Sequence, residues 1–113
     1  MPQPIPDAWR ETVIAILRNG DPGRIDWTFR ARQDWDAATG GFTYEAYPPM
    51  LAALEQPGVE GNLVTPFPGQ VETYEFLFFH AGRRMYGKLA LIDGRLKIAV
   101  VSAHLAQRST LRP

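Results

Sequence analysis

The 113-residue chain has no cysteine and only two histidines, His80 and His104. Without thiols there can be no disulfide, no thiolate nucleophile and no cysteine-ligated zinc or iron–sulfur site. Two imidazoles 24 residues apart do not make a histidine-rich metal site, and no motif asks for a cofactor. No apolar run reaches the length that spans a bilayer, so no membrane partner is expected. The opening MPQPIPDAW has neither the basic nor the apolar part of a secretory leader, and a cytoplasmic location is expected. Gly20-x-x-Gly23 lacks the Gly, Lys and Ser/Thr that would complete a phosphate loop, and no serine sits in a nucleophile elbow.

Net charge is also missing, because the formal total is zero. The distribution is nevertheless uneven: residues 1–82 carry a net −6 and residues 83–113 a net +6. A basic end of this kind suits an anionic partner, although the two halves can equally neutralise one another in the fold. With 45% hydrophobic and 21% charged residues, the composition is that of one globular domain, residues 1–113, with a core of its own.

Residues 1–6 form a proline-spaced leader, expected to be extended and frayed. Asp7 stands where a helix N-cap belongs and Asn19-Gly20 where a helix ends, with Trp9, Val13, Ile16 and Leu17 at helical spacing between them. Residues 25–32 alternate, with Ile25, Trp27, Phe29 and Ala31 on one side, which argues a strand. A helix is the alternative where RARQDWDAA follows. A short helix is expected from Pro49 to Gln56, preceded by a turn of helix from Thr43. Residues 62–67 suggest an edge strand, since Pro66 and Pro68 exclude a central place.

The chain is organised around residues 71–104, VETYEFLFFHAGRRMYGKLALIDGRLKIAVVSAH. Asp93-Gly94 between two alternating apolar runs is a strong hairpin signal, and Ala81-Gly82 marks the preceding turn. The expected fold is therefore α+β, with N-terminal helices packed on a C-terminal twisted antiparallel β-meander of three to five strands. Two-residue turns would pair His80 with Arg83, Glu75 with Lys88, Ile92 with Arg95, Tyr86 with Val101 and Arg83 with His104. Tyr74, Phe76, Phe78, Met85, Leu89, Leu91, Leu96, Ile98 and Val100 would then face the core. Thr73, Glu75, Leu77, Phe79, Arg84, Tyr86, Lys88, Lys97, Ala99 and Val101 would form a mixed opposite face.

That register aligns His80, Arg83 and His104 at one end of the sheet, with Ser102 one step inward. Two imidazoles beside a guanidinium can move protons while a phosphate is held. Arg84, Tyr86, Lys88 and Lys97 set cations around an aromatic ring, which suits single-stranded nucleic acid. Each feature also has a plainer structural reading. A strand-end histidine is commonly a hydrogen-bonded structural group, Glu75 with Lys88 an ordinary cross-strand ion pair, and a basic strand a guard against aggregation.

The stretch MYGKLALIDGRLKIAVVSAH, about a fifth of the chain, following a helical N-terminal part, resembles the small bacterial ribonuclease toxins. These are the RelE-like messenger-RNA interferases and the wider group named for barnase, EndoU and the colicin nucleases. The resemblance implies a metal-independent endoribonuclease with Lys88, Arg83 or Arg84, and His104 in matching positions. It also implies RNA as substrate and a cognate antitoxin or immunity protein as partner. On this reading His104, His80, Arg83 and Lys88 are catalytic, while Arg84, Tyr86 and Lys97 bind RNA. The competing expectation is a non-enzymatic interaction module, either immunity- or adaptor-like or a homodimer joined through the mixed face. A small-ligand pocket around Trp27, Phe29, Tyr44 and Tyr47 is a third.

Overall fold

The computed structural model describes residues 2–64 and 72–106. Its helices lie mainly in the N-terminal half and its sheet mainly in the C-terminal half, an α+β fold. The helices are α1 (Asp7–Asn19), α2 (Phe29–Thr39) and α3 (Tyr47–Leu54), the last entered through a 3₁₀ turn at Thr43–Ala46. The strands are β1 (Gln3–Pro4), β2 (Ile25–Trp27), β3 (Glu60–Leu63), β4 (Glu72–His80), β5 (Arg83–Ile92) and β6 (Lys97–Leu105). Among the described residues they form one sheet in the order β1-β3-β4-β5-β6-β2, antiparallel except for β2, which runs parallel to β6. The meander is thus extended at both edges by short strands. No helix among the described residues is long and apolar enough to cross a membrane.

Helix α1 follows its sequence pattern, burying Trp9, Val13, Ile16 and Leu17 and ending at Gly20 with φ +69°. Its start lies one residue earlier than expected: Pro6 is the N-cap, and its carbonyl accepts from the Arg10 N–H at 3.0 Å. Asp7 is the first helical residue and pairs with Arg10 at 3.2 Å. Residues 25–32 depart further from expectation, because the strand stops at Trp27. The Thr28 hydroxyl accepts from the Ala31 N–H at 3.1 Å and so caps α2. The helix buries Ala31 and Trp35 and leaves Phe29 exposed. The two-residue and 3.6-residue periods overlap at Ala31, and the cap decides between them. Of the strand expected over 62–67, residues 62 and 63 belong to β3 and Val64 follows it; the remainder, with Val71, lies outside the described residues. It is next to the edge, since β1 pairs outside it.

One face of the sheet carries Phe76, Phe78, Met85, Leu89, Leu91, Ile98 and Val100, all buried against the helices. Each such side chain withdrawn from water contributes roughly 1.5–3 kcal/mol. The polar atoms at this interface are satisfied: the indole N–H groups of Trp9 and Trp35 donate to the Glu72 and Phe42 carbonyls, both at 2.9 Å. Trp27 donates to the Tyr47 hydroxyl at 3.0 Å. Phe29 and Tyr44 are exposed, so these aromatics do not enclose the expected ligand pocket.

The β4–β5 register matches expectation at every pair, from Glu75↔Lys88 to His80↔Arg83. Ala81 and Gly82 have φ of +54° and +75°, the left-handed pair a two-residue hairpin turn requires. For alanine that conformation costs about 1–2 kcal/mol. Ala81→Gly is therefore expected to raise stability by about 1 kcal/mol net of unfolded-chain entropy, read as a higher urea midpoint with an unchanged slope.

The β5–β6 register differs from expectation. Asp93 and Gly94 turn with positive φ, and Ile92 O accepts from Arg95 N at 3.0 Å, as in a two-residue hairpin. Arg95 is also left-handed (φ +70°), which lengthens the loop so that Ile92 pairs with Lys97. The cause is tertiary. Arg95 Nη1 donates to both Glu72 carboxylate oxygens at 2.9 and 2.7 Å, and Nη2 to the Ala8 carbonyl at 3.2 Å. Arg24 holds the Leu96 carbonyl at 2.8 Å, and Leu96 is exposed in the loop, not in the core. This two-residue displacement keeps every side chain on its face. A second change does not: the register shifts again between Lys88 and Leu89, so that Leu89 pairs with Val100 but Lys88 with Ser102. Val101 is the extra residue of a β-bulge, and beyond it β6 presents its alternate residues to the other face.

Candidate active site on the helix-free face

The bulge puts Ser102 and His104 on the face opposite the packed helices. There Ser102 is paired with Lys88 and His104 with Tyr86. Continuing across β5, Lys88 pairs with Glu75 and Tyr86 with Leu77. Two adjacent rows therefore converge, Glu75–Lys88–Ser102 and Leu77–Tyr86–His104. Arg84 follows one row nearer the hairpin, paired with Phe79.

The His104 ring stacks on Tyr86, with centroids 4.8 Å apart and planes inclined by 23°. His104 Nδ1 lies 2.7 Å from the Leu105 carbonyl oxygen. A carbonyl only accepts, so Nδ1 carries a proton, and Nε2 is the nitrogen left to exchange a proton with a substrate. On the other side of Tyr86 stands Glu75. Burial first, then a hydrogen bond to the Glu75 carboxylate and its negative charge, hold the Tyr86 hydroxyl far above the ordinary phenol range. Because Tyr86 keeps its proton in the fold above pH 10, where an unfolded tyrosine loses it, its contribution to stability is complete below about pH 10 and falls as pH rises beyond. Tyr86→Phe should flatten that alkaline limb in urea unfolding followed between pH 8 and 11.

Of the residues singled out from sequence, His104, Lys88, Tyr86 and Arg84 share this face. His80 and Arg83 do not. They pair with one another as expected but lie on the helix-packed face, and β5 separates His80 from β6. The expected juxtaposition of His80 and Arg83 with His104 fails because the bulge turns His104 away from them. His80 instead packs on Trp35, ring centroids 5.0 Å apart. Arg83 Nη2 donates to the Ala38 carbonyl in the last turn of α2, where a cation also meets the negative end of the helix dipole. Lys97 lies at the far end of the sheet, bound to Asp26 at 3.1 Å.

A groove of roughly 800 Å³ runs from His104 along the outer flank of α2, lined by Thr28, Arg30, Asp34, Ala37, Ser102 and His104 among others. Sequence reading missed it, because it depends on residues 29–39 being helical. A signal for the bulge was present. Lys97 and Ala99 are two apart, as are Ser102 and His104, but Val100-Val101 interrupts the alternation between them. Both pairs can face outward only if one residue is left over.

Among the described residues no three His, Asp or Glu side chains cluster as a metal site. Comparison with family models, with curated proteins and with solved structures finds no match to this chain.

Proposed function

We propose that the protein is a metal-independent endoribonuclease, similar in action to the ribonuclease toxins, whose chemistry lies on the helix-free sheet face. The observation that carries this reading is His104: its tautomer is set by the Leu105 carbonyl and its ring is stacked on Tyr86, with Lys88, Ser102 and Glu75 in the same and adjoining rows. His104 Nε2 takes the proton of a ribose 2′-hydroxyl as the 2′-oxygen attacks the adjacent phosphorus. The new O–P bond forms while the bond from phosphorus to the 5′-oxygen breaks. The products are a 2′,3′-cyclic phosphate and a 5′-hydroxyl, and the leaving oxygen takes its proton from water on the open face of the sheet. Lys88 neutralises the charge that grows on the non-bridging oxygens, and Arg84 contacts the neighbouring backbone. His80, Arg83 and Lys97 have no part in this step. A cytoplasmic location and a cognate antitoxin or immunity partner accompany the reading.

The test is incubation of purified protein with single-stranded RNA in EDTA. Fragments ending in 2′,3′-cyclic phosphate are expected; intact RNA, or cleavage that requires a divalent ion, rejects the assignment.

A specific observation also favours an interaction module. An apolar groove of about 420 Å³ between α3 and β4 is lined by Pro49, Ala53, Val59, Leu77 and the exposed Phe79. That reading predicts no cleavage and a partner or second copy that covers Phe79.

A further inference from the structure

Strand β2 ends at Trp27 opposite Val100. Among the described residues no strand lies beside β6 beyond that point. The Ala106 N–H donates to Arg84 O at 3.0 Å, so residues 102, 104 and 106 turn their backbone groups toward β5. Ala103 and Leu105 consequently turn theirs away from β5; Leu105 lines the groove beneath α2, whereas Ala103 is fully buried. The Thr28 hydroxyl approaches the Val101 carbonyl at 3.3 Å and closes one end of this edge. The Leu105 carbonyl is engaged by His104, which leaves the Leu105 N–H as the outward donor of this residue on the groove wall.

The facing wall is α2. Arg30 projects from its first turn, 88% exposed, and among the described residues pairs with Asp34 at 3.8 Å. Below it Ala37 keeps the wall low. The Leu105 N–H, the Ser102 hydroxyl and the Arg30 guanidinium border a volume of roughly 800 Å³ that opens at His104. Such a lining favours an anionic chain over a peptide, for which two outward-facing residues offer too short an edge for strand addition.

We propose that this groove is a subsite for the nucleotides next to the scissile phosphate, with Arg30 holding the following phosphate group and Asp34 limiting its hold. The proposal rests on the ribonuclease reading and specifies its substrate as single-stranded RNA extending beyond the cleaved step, which must pass between α2 and the edge of β6.

The experiment compares kcat/KM for a dinucleoside monophosphate and for a tetranucleotide containing the same cleaved step. The wild-type protein should prefer the tetranucleotide by about tenfold or more, as one charge-assisted phosphate contact would give. Arg30→Ala and Ala37→Trp should each reduce that ratio toward one, the first by removing the cation and the second by filling the groove. Asp34→Asn should raise it by releasing Arg30. Opposite movements from two neighbours on one exposed helical face are not what general destabilisation produces. A wild-type ratio of one, or a ratio that Ala37→Trp leaves unchanged, as a peptide groove would, overturns the subsite. Cleavage of neither substrate instead rejects the ribonuclease reading beneath it.

Discussion

Replacing His104 by alanine should lower the rate of RNA cleavage by roughly 10²–10⁴-fold, the range a positioned acid or base supplies. The imidazole is the only one on the helix-free face, and the Leu105 carbonyl prepares its Nε2 to accept a proton. Glu75→Gln should lower the rate less, because the carboxamide still accepts from the Tyr86 hydroxyl but without the charge that strengthens that hydrogen bond beneath the His104 ring. The loss from His104→Ala should appear in kcat more than in KM, since the imidazole acts as bonds change. His80→Ala gives the contrasting result: its ring lies on the other side of the sheet against Trp35, so cleavage should stay close to wild type while stability falls. Single-turnover cleavage of a labelled oligonucleotide, with unfolding midpoints measured on the same preparations, separates the two. If His80→Ala and His104→Ala lose activity equally, the assignment to the helix-free face is wrong.

Trp35→Ala should cost about 3–5 kcal/mol, a large part of the 5–15 kcal/mol that holds a domain together. The side chain is fully buried and touches three elements at once. Its ring stacks on Phe78 at 6.4 Å with planes 29° apart and lies 6.3 Å from Trp27 and 5.0 Å from His80. Its N–H satisfies the Phe42 carbonyl, which links α2 to the 3₁₀ turn. Removing it leaves a cavity under α2 and loosens the helix that walls the groove. Trp35→Phe should cost much less, because it keeps most of the volume and the Phe42 carbonyl still accepts from the Glu45 N–H at 3.1 Å. Urea unfolding monitored by far-ultraviolet dichroism measures both. Equal losses would mean the hydrogen bond, rather than the packing, carries the effect.

The outcome of the sequence reading follows the range of the interactions involved. Helix α1 was legible because its apolar stripe and the glycine after it lie within one short segment. The β4–β5 hairpin was legible for the same reason: Ala81-Gly82 and the alternation on either side set every pair from nearby residues.

Residues 25–39 were ambiguous, since one stretch satisfies two periods. The choice rests on the Thr28 cap and on what Trp35 can bury, and the second of these is a tertiary contact. The β5–β6 connection is two residues longer than its sequence suggests because Arg95 is drawn to Glu72 and Ala8, 23 and 87 residues away in sequence. The bulge at Val101 had the largest consequence for the candidate site. Period-two alternation assigns faces only while the count is unbroken, and one extra residue exchanges them. Composition and pattern alone therefore determined an α+β chain with a C-terminal meander and the cation-rich strand that carries Lys88. Which histidine joins that lysine was decided in the folded sheet, where Val101 lies opposite the end of a strand too short to keep β6 regular.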